Sequence, residues 1–264
     1  MALRGRLLHS PPPGRFVPPM PVAEKPLPVT DGAEKRAYVR GMFTAIASRY
    51  DLLNHVLSLN ADRRWRRQAV DQLEWEVSPK GKYLDLCAGT LDLAAELGNR
   101  SGFGGTVVGA DFVKPMLELG RGKSAAVEPV TADALELPFP DRSFDGATVG
   151  FGVRNLVDLA RGFAEAARVL RPGRRLVVLE FTTPHWQPLR GLYLFYFRRV
   201  LPLVGRLVSK HRDAYTYLPA SVLAFPEPDR LRAIMEEAGF AEVRYRRLFG
   251  GIVAIHVGRR IERS

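Results

Sequence analysis

Three aspartates stand at or near the ends of short apolar runs: Asp85 in 83-YLDLCAGTLDLAAEL-97, Asp111 in 109-GAD-111 and Asp133 in 132-ADA-134. A carboxylate at the tip of a second strand can accept hydrogen bonds from both hydroxyls of a ribose. One at the tip of a third can accept from an exocyclic adenine amine. A single acid after a strand is more often the cap of the next helix. Three in succession are harder to assign to caps alone. After Asp85 the small residues Cys87, Ala88, Gly89 and Thr90 mark a tight turn, and Leu93, Ala94 and Leu97 then recur at helical spacing. This is the shape of a nucleotide-binding loop, flanked by acid on both sides at Asp85 and Asp92. A pyrophosphate needs a glycine-rich turn and a positive helix end, so this lining disfavours it. S-adenosylmethionine carries a sulfonium, an ammonium and a ribose with no phosphate, and suits the loop better.

The elements that must position these residues are legible in the periodicity. Short apolar strands are predicted near 82–87, 106–111, 127–131, 144–150 and 174–181, with helices near 91–98, 114–122 and 157–170 between them. Such alternation predicts an α/β fold with a parallel, doubly wound sheet, because parallel strands need crossover helices. A helix at 227–238 and strands at 241–248 and 251–257, with only Phe249 and Gly250 between them, predict a terminal antiparallel hairpin. Ahead of the sheet, helical intervals cover 34–48, 50–58 and 62–74, with Asp62 where an N-cap would stand. Residues 1–33 include 11-PPPGRFVPPMPVAEKPLPV-29, too rich in proline for helix or central strand; they read as a mobile leader before a folded domain at 34–264.

Composition narrows the class. A chain of 264 residues, 46% hydrophobic, can bury one substantial core. No apolar run is long enough to cross a bilayer. The single cysteine, Cys87, excludes an intramolecular disulfide and a cysteine-based zinc cluster, which fits the cytoplasm. A formal charge of +11 favours an anionic partner, nucleic acid or acidic membrane, although each cluster such as 63-RRWRR-67 taken alone reads as a solvated face.

Further stretches carry a specific likeness. The segments 50-YDLLNHVLSLNADRRW-65 and 168-RVLRPGRRLVVLEFTTP-184 resemble the two signatures of the ubiquinone/menaquinone biosynthesis C-methyltransferase family. Between and after them, 109-GADFVKPMLELGR-121, 132-ADALELPFPDRSFDGATVGFGVRN-155 and 214-AYTYLPASVLAFP-226 fall in family order. The resemblance runs from about residue 34 to 258 and implies a class I S-adenosylmethionine-dependent methyltransferase sheet with a helical cap. It implies Gly89 and Thr90 in the cofactor loop, Asp111 on the ribose, and Asp133 with Ala134 at the adenine. It puts Tyr50, Arg154 and Asn155 around a reacting polyprenyl quinol ring: demethylmenaquinol, or a ubiquinone precursor.

The implied chemistry asks for alignment and for a stabilised phenolate, with no metal. Arg154 keeps its charge and presents a fork of donors, which suits an oxyanion; a structural ion pair is the plainer alternative. His55 and His211 have no partner in the spacing and are expected at the surface or in packing. The segment 186–210 interleaves aromatic residues with Lys and Arg and has no acid, the profile of an interfacial helix or of a buried cap. A quinone lives in the bilayer, so peripheral contact with the anionic inner face of the membrane is expected. Nucleic acid is not, because 150-GFGVRN-155 lacks the Asn/Asp-Pro-Pro-aromatic motif of base-amine methylation. Whether the chain works alone, as a homodimer or in a quinone-biosynthesis complex is left open.

Three departures from the family pattern stand out, the mildest being Gly150 where some members have serine. Arg174 replaces the second glycine of a Pro-Gly-Gly turn, and Leu91 replaces a cofactor-loop glycine. If position 91 needs positive φ, leucine there costs roughly 1–2 kcal/mol, and its bulk is expected to narrow the methionine site. A non-catalytic scaffold weakened at Leu91, or a methyltransferase for another acceptor, is the alternative reading.

Overall fold

Tyr83, Leu84 and Leu86 are all buried in the first strand, and Val107, Val108 and Ala110 in the second. Runs apolar on both faces belong in the middle of a covered parallel sheet. The computed structural model describes residues 32–58, 60–196, 199 and 212–262. The leader up to Asp31, His211 and most of 197–211 lie outside the described residues. In chain order the helices α1 (Gly32–Ile46), α2 (Tyr50–Ser58) and α3 (Ala61–Val70) come first. Then follow β1 (Lys82–Leu86), α4 (Asp92–Gly98), β2 (Thr106–Asp111), α5 (Lys114–Gly120), β3 (Val127–Thr131), β4 (Gly146–Gly150), α6 (Leu159–Val169) and β5 (Arg175–Phe181). The last part holds α7 (Gln187–Phe195), α8 (Arg212–Ala224), α9 (Pro228–Glu237), β6 (Phe240–Leu248) and β7 (Val253–Arg260).

The sheet has the order β3-β2-β1-β4-β5-β7-β6. Strands β1 to β5 run parallel, and β7 lies antiparallel between β5 and β6. Side chains alternate between two cores, as a period of two requires. Leu84, Leu86, Val108 and Val178 meet Phe163 and Ala166 of α6 and Leu231 and Met235 of α9. Tyr83, Val107, Val177 and Leu179 meet Trp65, Ala69 and Val70 of α3 and Leu93 and Leu97 of α4. The strand order reverses between β1 and β4, and ligands of such sheets bind beyond the strand ends at that switch point.

Local chemistry sets the boundaries. Helix α6 starts where the Asp158 carboxylate accepts from the N–H of Arg161 at 2.9 Å, and α9 starts at Pro228 in its first turn. The terminal antiparallel pair was legible in the sequence, but its connection is longer than two residues. A 3-10 turn at Phe249–Gly251 puts Phe249, Gly250 and Gly251 all at positive φ. Asp62 is not an N-cap. Helix α3 opens one residue earlier, and Asp62 is turned into the protein, bonded to Ser58, His55 and Arg66. At the altered Pro-Gly-Gly turn only Gly173 needs a positive φ, of 74°, so Arg174 is accommodated without strain.

Candidate active site

The β1–α4 turn is built from left-handed residues: Cys87, Gly89 and Leu91 have φ of 51°, 53° and 65°. This winding lets the loop pass over the tip of β2. The Gly89 N–H donates to Asp111 Oδ2 at 2.9 Å, and the Val113 N–H donates to Asp111 Oδ1 at 2.8 Å. Burial pushes the Asp111 carboxyl up, and these backbone donors partly offset it. Each oxygen keeps lone-pair capacity for a further donor. Asp133 accepts from the Leu135 N–H at 2.9 Å and pairs with Arg36 of α1 at 3.2 Å. Gly89, Asp111, Asp133 and Ala134 line one cleft, roofed by Val39 and Phe43 of α1.

Asp85 lies deeper. It is 1% exposed, accepting from the Thr148 hydroxyl at 2.8 Å and the Ala94 N–H at 3.0 Å, so it ties β1 to β4 and α4. Burial pushes its carboxyl up to about 7. With Thr90 it lines a small cavity continuous in lining with the first cleft through Tyr50, Cys87, Gly89 and Phe151. The Thr90 hydroxyl donates to Asp51 of α2, whose other oxygen takes Lys123 Nζ at 2.7 Å.

Sharing Phe43, Tyr50 and Phe151 with the first cleft is an apolar cavity of about 810 Å³. Its wall is aromatic, with Trp65 from α3, Phe181 from β5, Tyr193 from α7, Tyr196 just after it, Tyr217 from α8 and Phe249 from the β6–β7 turn. Tyr50 and Phe151 line it as well as the two carboxylate-bearing spaces. The ring centroids of Phe151 and Phe181 are 4.6 Å apart. Phe151 sits at a φ of 57°, a conformation rare for a bulky residue and typical of functional junctions.

Arg154 reaches this cavity from the turn after β4. Its Nη1 pairs with Glu180 Oε1 at 2.8 Å and also donates to the Phe151 carbonyl. Burial alone would lower its pKa, but Glu180 more than offsets it, and the guanidinium stays charged. Its Nε is a buried donor without a hydrogen-bond partner among the described residues. The ion-pair reading of Arg154 therefore holds together with a position on the cavity wall. Asn155 is different. It lines the first cleft and meets the apolar cavity through Tyr217, whose hydroxyl donates to Asn155 Oδ1 at 3.0 Å. Burial raises the Tyr50 hydroxyl, with Arg154 partly opposing, and pushes Tyr217 up to about 12, so both stay protonated at neutral pH.

Several residues of the site were missed from sequence. Glu180 had a signal: an acid inside the apolar run of β5 must have a buried partner. Phe151 had a weaker one, its place between Gly150 and Gly152. His55 does have a partner, Asp62 Oδ2 at 2.9 Å from Nδ1, which helix spacing across the α2–α3 turn concealed.

The comparisons with known proteins agree with this geometry. Residues 30–260 match the ubiE/COQ5 methyltransferase family. The chain belongs to that family. It is 53% identical over 223 residues to demethylmenaquinone methyltransferase of Thermus thermophilus, covering 83% of this chain and 100% of that protein. It is 44% identical over 232 residues to the ubiquinone/menaquinone biosynthesis C-methyltransferase UbiE of a Geobacter species, covering 86% of this chain and 97% of that one. A solved S-adenosylmethionine-dependent methyltransferase of Thermotoga maritima superposes with a TM-score of 0.59 at 20% identity, over 83% of this chain and 98% of that one. That likeness establishes the fold. Family membership makes the chain an S-adenosylmethionine-dependent methyltransferase, and the residues present fit the cofactor. Asp111 and Asp133 line one cleft and Asp85 and Asp92 the cavity beside it, carboxylates of the kind that a ribose, an exocyclic amine and a cationic sulfonium call for.

Proposed function

We propose that this enzyme methylates a ring carbon of a polyprenyl hydroquinone, demethylmenaquinol to menaquinol, within quinone biosynthesis. The observation that carries the reading is the shared wall: Tyr50 and Phe151 border both the cofactor cleft and an aromatic cavity large enough for a naphthoquinol head. The bound cofactor supplies an electrophilic methyl group on a sulfonium. The chain has three tasks. Tyr50 and Phe151 align the ring edge with the cleft, and alignment of this kind contributes on the order of 7–11 kcal/mol to lowering a barrier. The aromatic wall excludes water, so charges inside act at full strength. Arg154, fixed by Glu180, stabilises the anionic ring oxygen next to the reacting carbon through its positive charge on the cavity wall. An arginine is a poor base; by stabilising the phenolate it makes the hydroxyl more acidic, so that its proton leaves to solvent, and the proton on the methylated ring carbon leaves to solvent after transfer, restoring aromaticity. Asn155 acts from the cofactor side by holding Tyr217 in place.

In this reading Asp111 holds the ribose hydroxyls, Asp133 and Ala134 take the adenine, and Gly89, Thr90 and Asp85 face the amino-acid end. The decisive assay is methyl transfer to short-chain demethylmenaquinol and to the matching benzoquinol under reducing conditions. Turnover of the naphthoquinol carries the proposal, and turnover of the benzoquinol alone would reassign the ring.

We infer a peripheral membrane contact at the cavity mouth. Trp186, Leu192, Phe195 and Phe249 are each at least half exposed, and Leu192 and Phe249 also line the cavity, with Arg190 and Arg199 exposed nearby in sequence. No described helix is long and apolar enough to cross a membrane. Binding to anionic vesicles should fall when Leu192 and Phe249 become serine, and should weaken as salt rises. Equal vesicle binding by both proteins would remove the contact from this mouth.

A further inference from the structure

The cavity at the amino-acid end of the cofactor cleft is closed by two acids, Asp85 and Asp92, and by a single base, Arg66 of α3. Arg66 is unlike its neighbours in the 63-RRWRR-67 run. Arg63, Arg64 and Arg67 are exposed, whereas Arg66 is only 8% exposed, on the helix face that also buries Asp62, Trp65 and Ala69. Its Nη1 donates to Asp62, and its Nη2 lies 3.2 Å from Asp92 Oδ2. Asp62 is itself fixed, accepting from the Ser58 hydroxyl at 2.7 Å and contacting His55 at 2.9 Å. Asp92 has a second cation, Lys123 Nζ, at 2.6 Å. Lys123 does not line this cavity and is already held by two carboxylates.

The amino-acid end of the cofactor is a zwitterion. Its ammonium is served by the carboxylates of Asp85 and Asp92; its carboxylate needs a planar or point cation. We propose that Arg66 is the residue that takes the carboxylate of S-adenosylmethionine, exchanging its bond to Asp92 for one to the ligand while Asp62 holds the guanidinium from behind. The exchange leaves no charge stranded, because Asp92 keeps Lys123. The planar fork offers parallel donors that match a carboxylate, which a lysine in the same place would not. Arg66 also lines the acceptor cavity, and Asp62 joins α2 to α3, so cofactor binding at Arg66 firms the helices that carry Tyr50. Asp62 is a positioning residue in this scheme.

Calorimetric titration of the full chain with three ligands separates a carboxylate contact from a structural role. S-adenosylhomocysteine has the whole amino-acid end, decarboxylated S-adenosylmethionine lacks the carboxylate alone, and methylthioadenosine lacks the entire end. Arg66→Gln should weaken S-adenosylhomocysteine roughly 10–100-fold, the range of a charged hydrogen bond, and leave the other two within about twofold. Arg66→Lys, which keeps the charge and spares the fold, should show a smaller loss confined to the same ligand. Equal loss for all three ligands, or no loss for S-adenosylhomocysteine, would overturn the assignment. A wild-type protein that binds none of the three would instead overturn the placement of the cofactor itself.

Discussion

The two sides of the Tyr50–Phe151 wall are built by opposite means. On the cofactor side a few carboxylates at strand tips are held by backbone N–H groups, as at Asp111 and Asp133. On the acceptor side rings from elements far apart in sequence make a large apolar space, with Arg154, fixed by Glu180, on its wall. Position is carried by hydrogen bonds on the first side and by shape on the second. Substitutions should therefore act selectively: polar changes on the cofactor side should alter binding, and changes around Arg154 should alter turnover.

The largest effect is expected at Arg154. Arg154→Lys should reduce turnover about 10²–10³-fold, the usual loss of one oxyanion donor, with cofactor affinity unchanged within about twofold. Lysine is the informative replacement because Glu180 is 1% exposed. Arg154→Ala would leave that carboxylate buried without its partner, at a cost of about 3–5 kcal/mol in stability. Single-turnover kinetics beside calorimetry give both quantities. A matched loss of cofactor affinity in the lysine variant would mean that the two sides are not independent.

On the other side, Asp111→Ala should weaken the cofactor roughly 10–100-fold, since it removes the proposed ribose acceptor and strands the N–H groups of Gly89 and Val113. Asp111→Asn keeps one oxygen for the loop and should lose less. Quinol affinity, measured separately, should change little in either.

The same contrast explains what the sequence disclosed. Strands β2 and β3 run as predicted: β2 is a short apolar run buried on both faces, and β3, an edge strand with no buried residue, is marked by a short β-branched run with turn residues at its ends. The carboxylates at their tips followed from the strand ends. The acceptor cavity was not legible, since its rings come from helices whose spacing says only which face is apolar. Arg66 lay within an arginine run that reads as a solvated face. Its place four residues after Asp62, at the spacing of an ion pair on one helix face, was the usable signal. Thr90 was read as a cofactor residue, and its hydroxyl is turned to Asp51, a contact across distant helices that no local pattern reveals.

A pH series sharpens the comparison further. Asp85 has its carboxyl pushed up to about 7 by burial, from the 3.8 of a free aspartate. The folded protein thus holds a proton that the unfolded chain releases, and this contribution to stability is present below the lower value and lost as pH rises through about 7. A cationic ligand favours the ionised form. Cofactor affinity should therefore rise with pH up to about 7, by about tenfold per pH unit well below it, with a proton released on binding. Asp85→Asn should flatten the slope, and affinity for a neutral quinol should show none. His256 supplies an opposing stability term on the far side of the sheet: burial pushes it down to about 4 from 6.5. Its contribution is present above 6.5 and lost as pH falls towards 4, so His256→Gln should remove part of the acid-side loss seen in melting curves.

The smallest effect on binding is expected at Leu91, although it is the cofactor loop's conspicuous departure from the family pattern. Position 91 does need positive φ, and leucine holds it at 65°, with a local cost of roughly 1–2 kcal/mol. The side chain does not narrow the methionine site. It is 1% exposed, lines neither cofactor-side space, and packs with Val107 and Leu117 beneath the loop. Room for it comes from Gly109 and Gly120, where a Cβ would collide with Leu91 itself. Leu91→Gly would relieve the strain but empty a filled space, and deletion of a buried leucine side chain costs about 2–5 kcal/mol. Glycine also enlarges the unfolded ensemble. The variant should melt at a lower temperature, yet bind S-adenosylmethionine within about twofold of the parent when affinity is measured on folded protein. A fivefold tightening would correspond to about 1 kcal/mol of strain relieved on the ligand side. That outcome would mean the loop's backbone, rather than its filled underside, limits the cofactor.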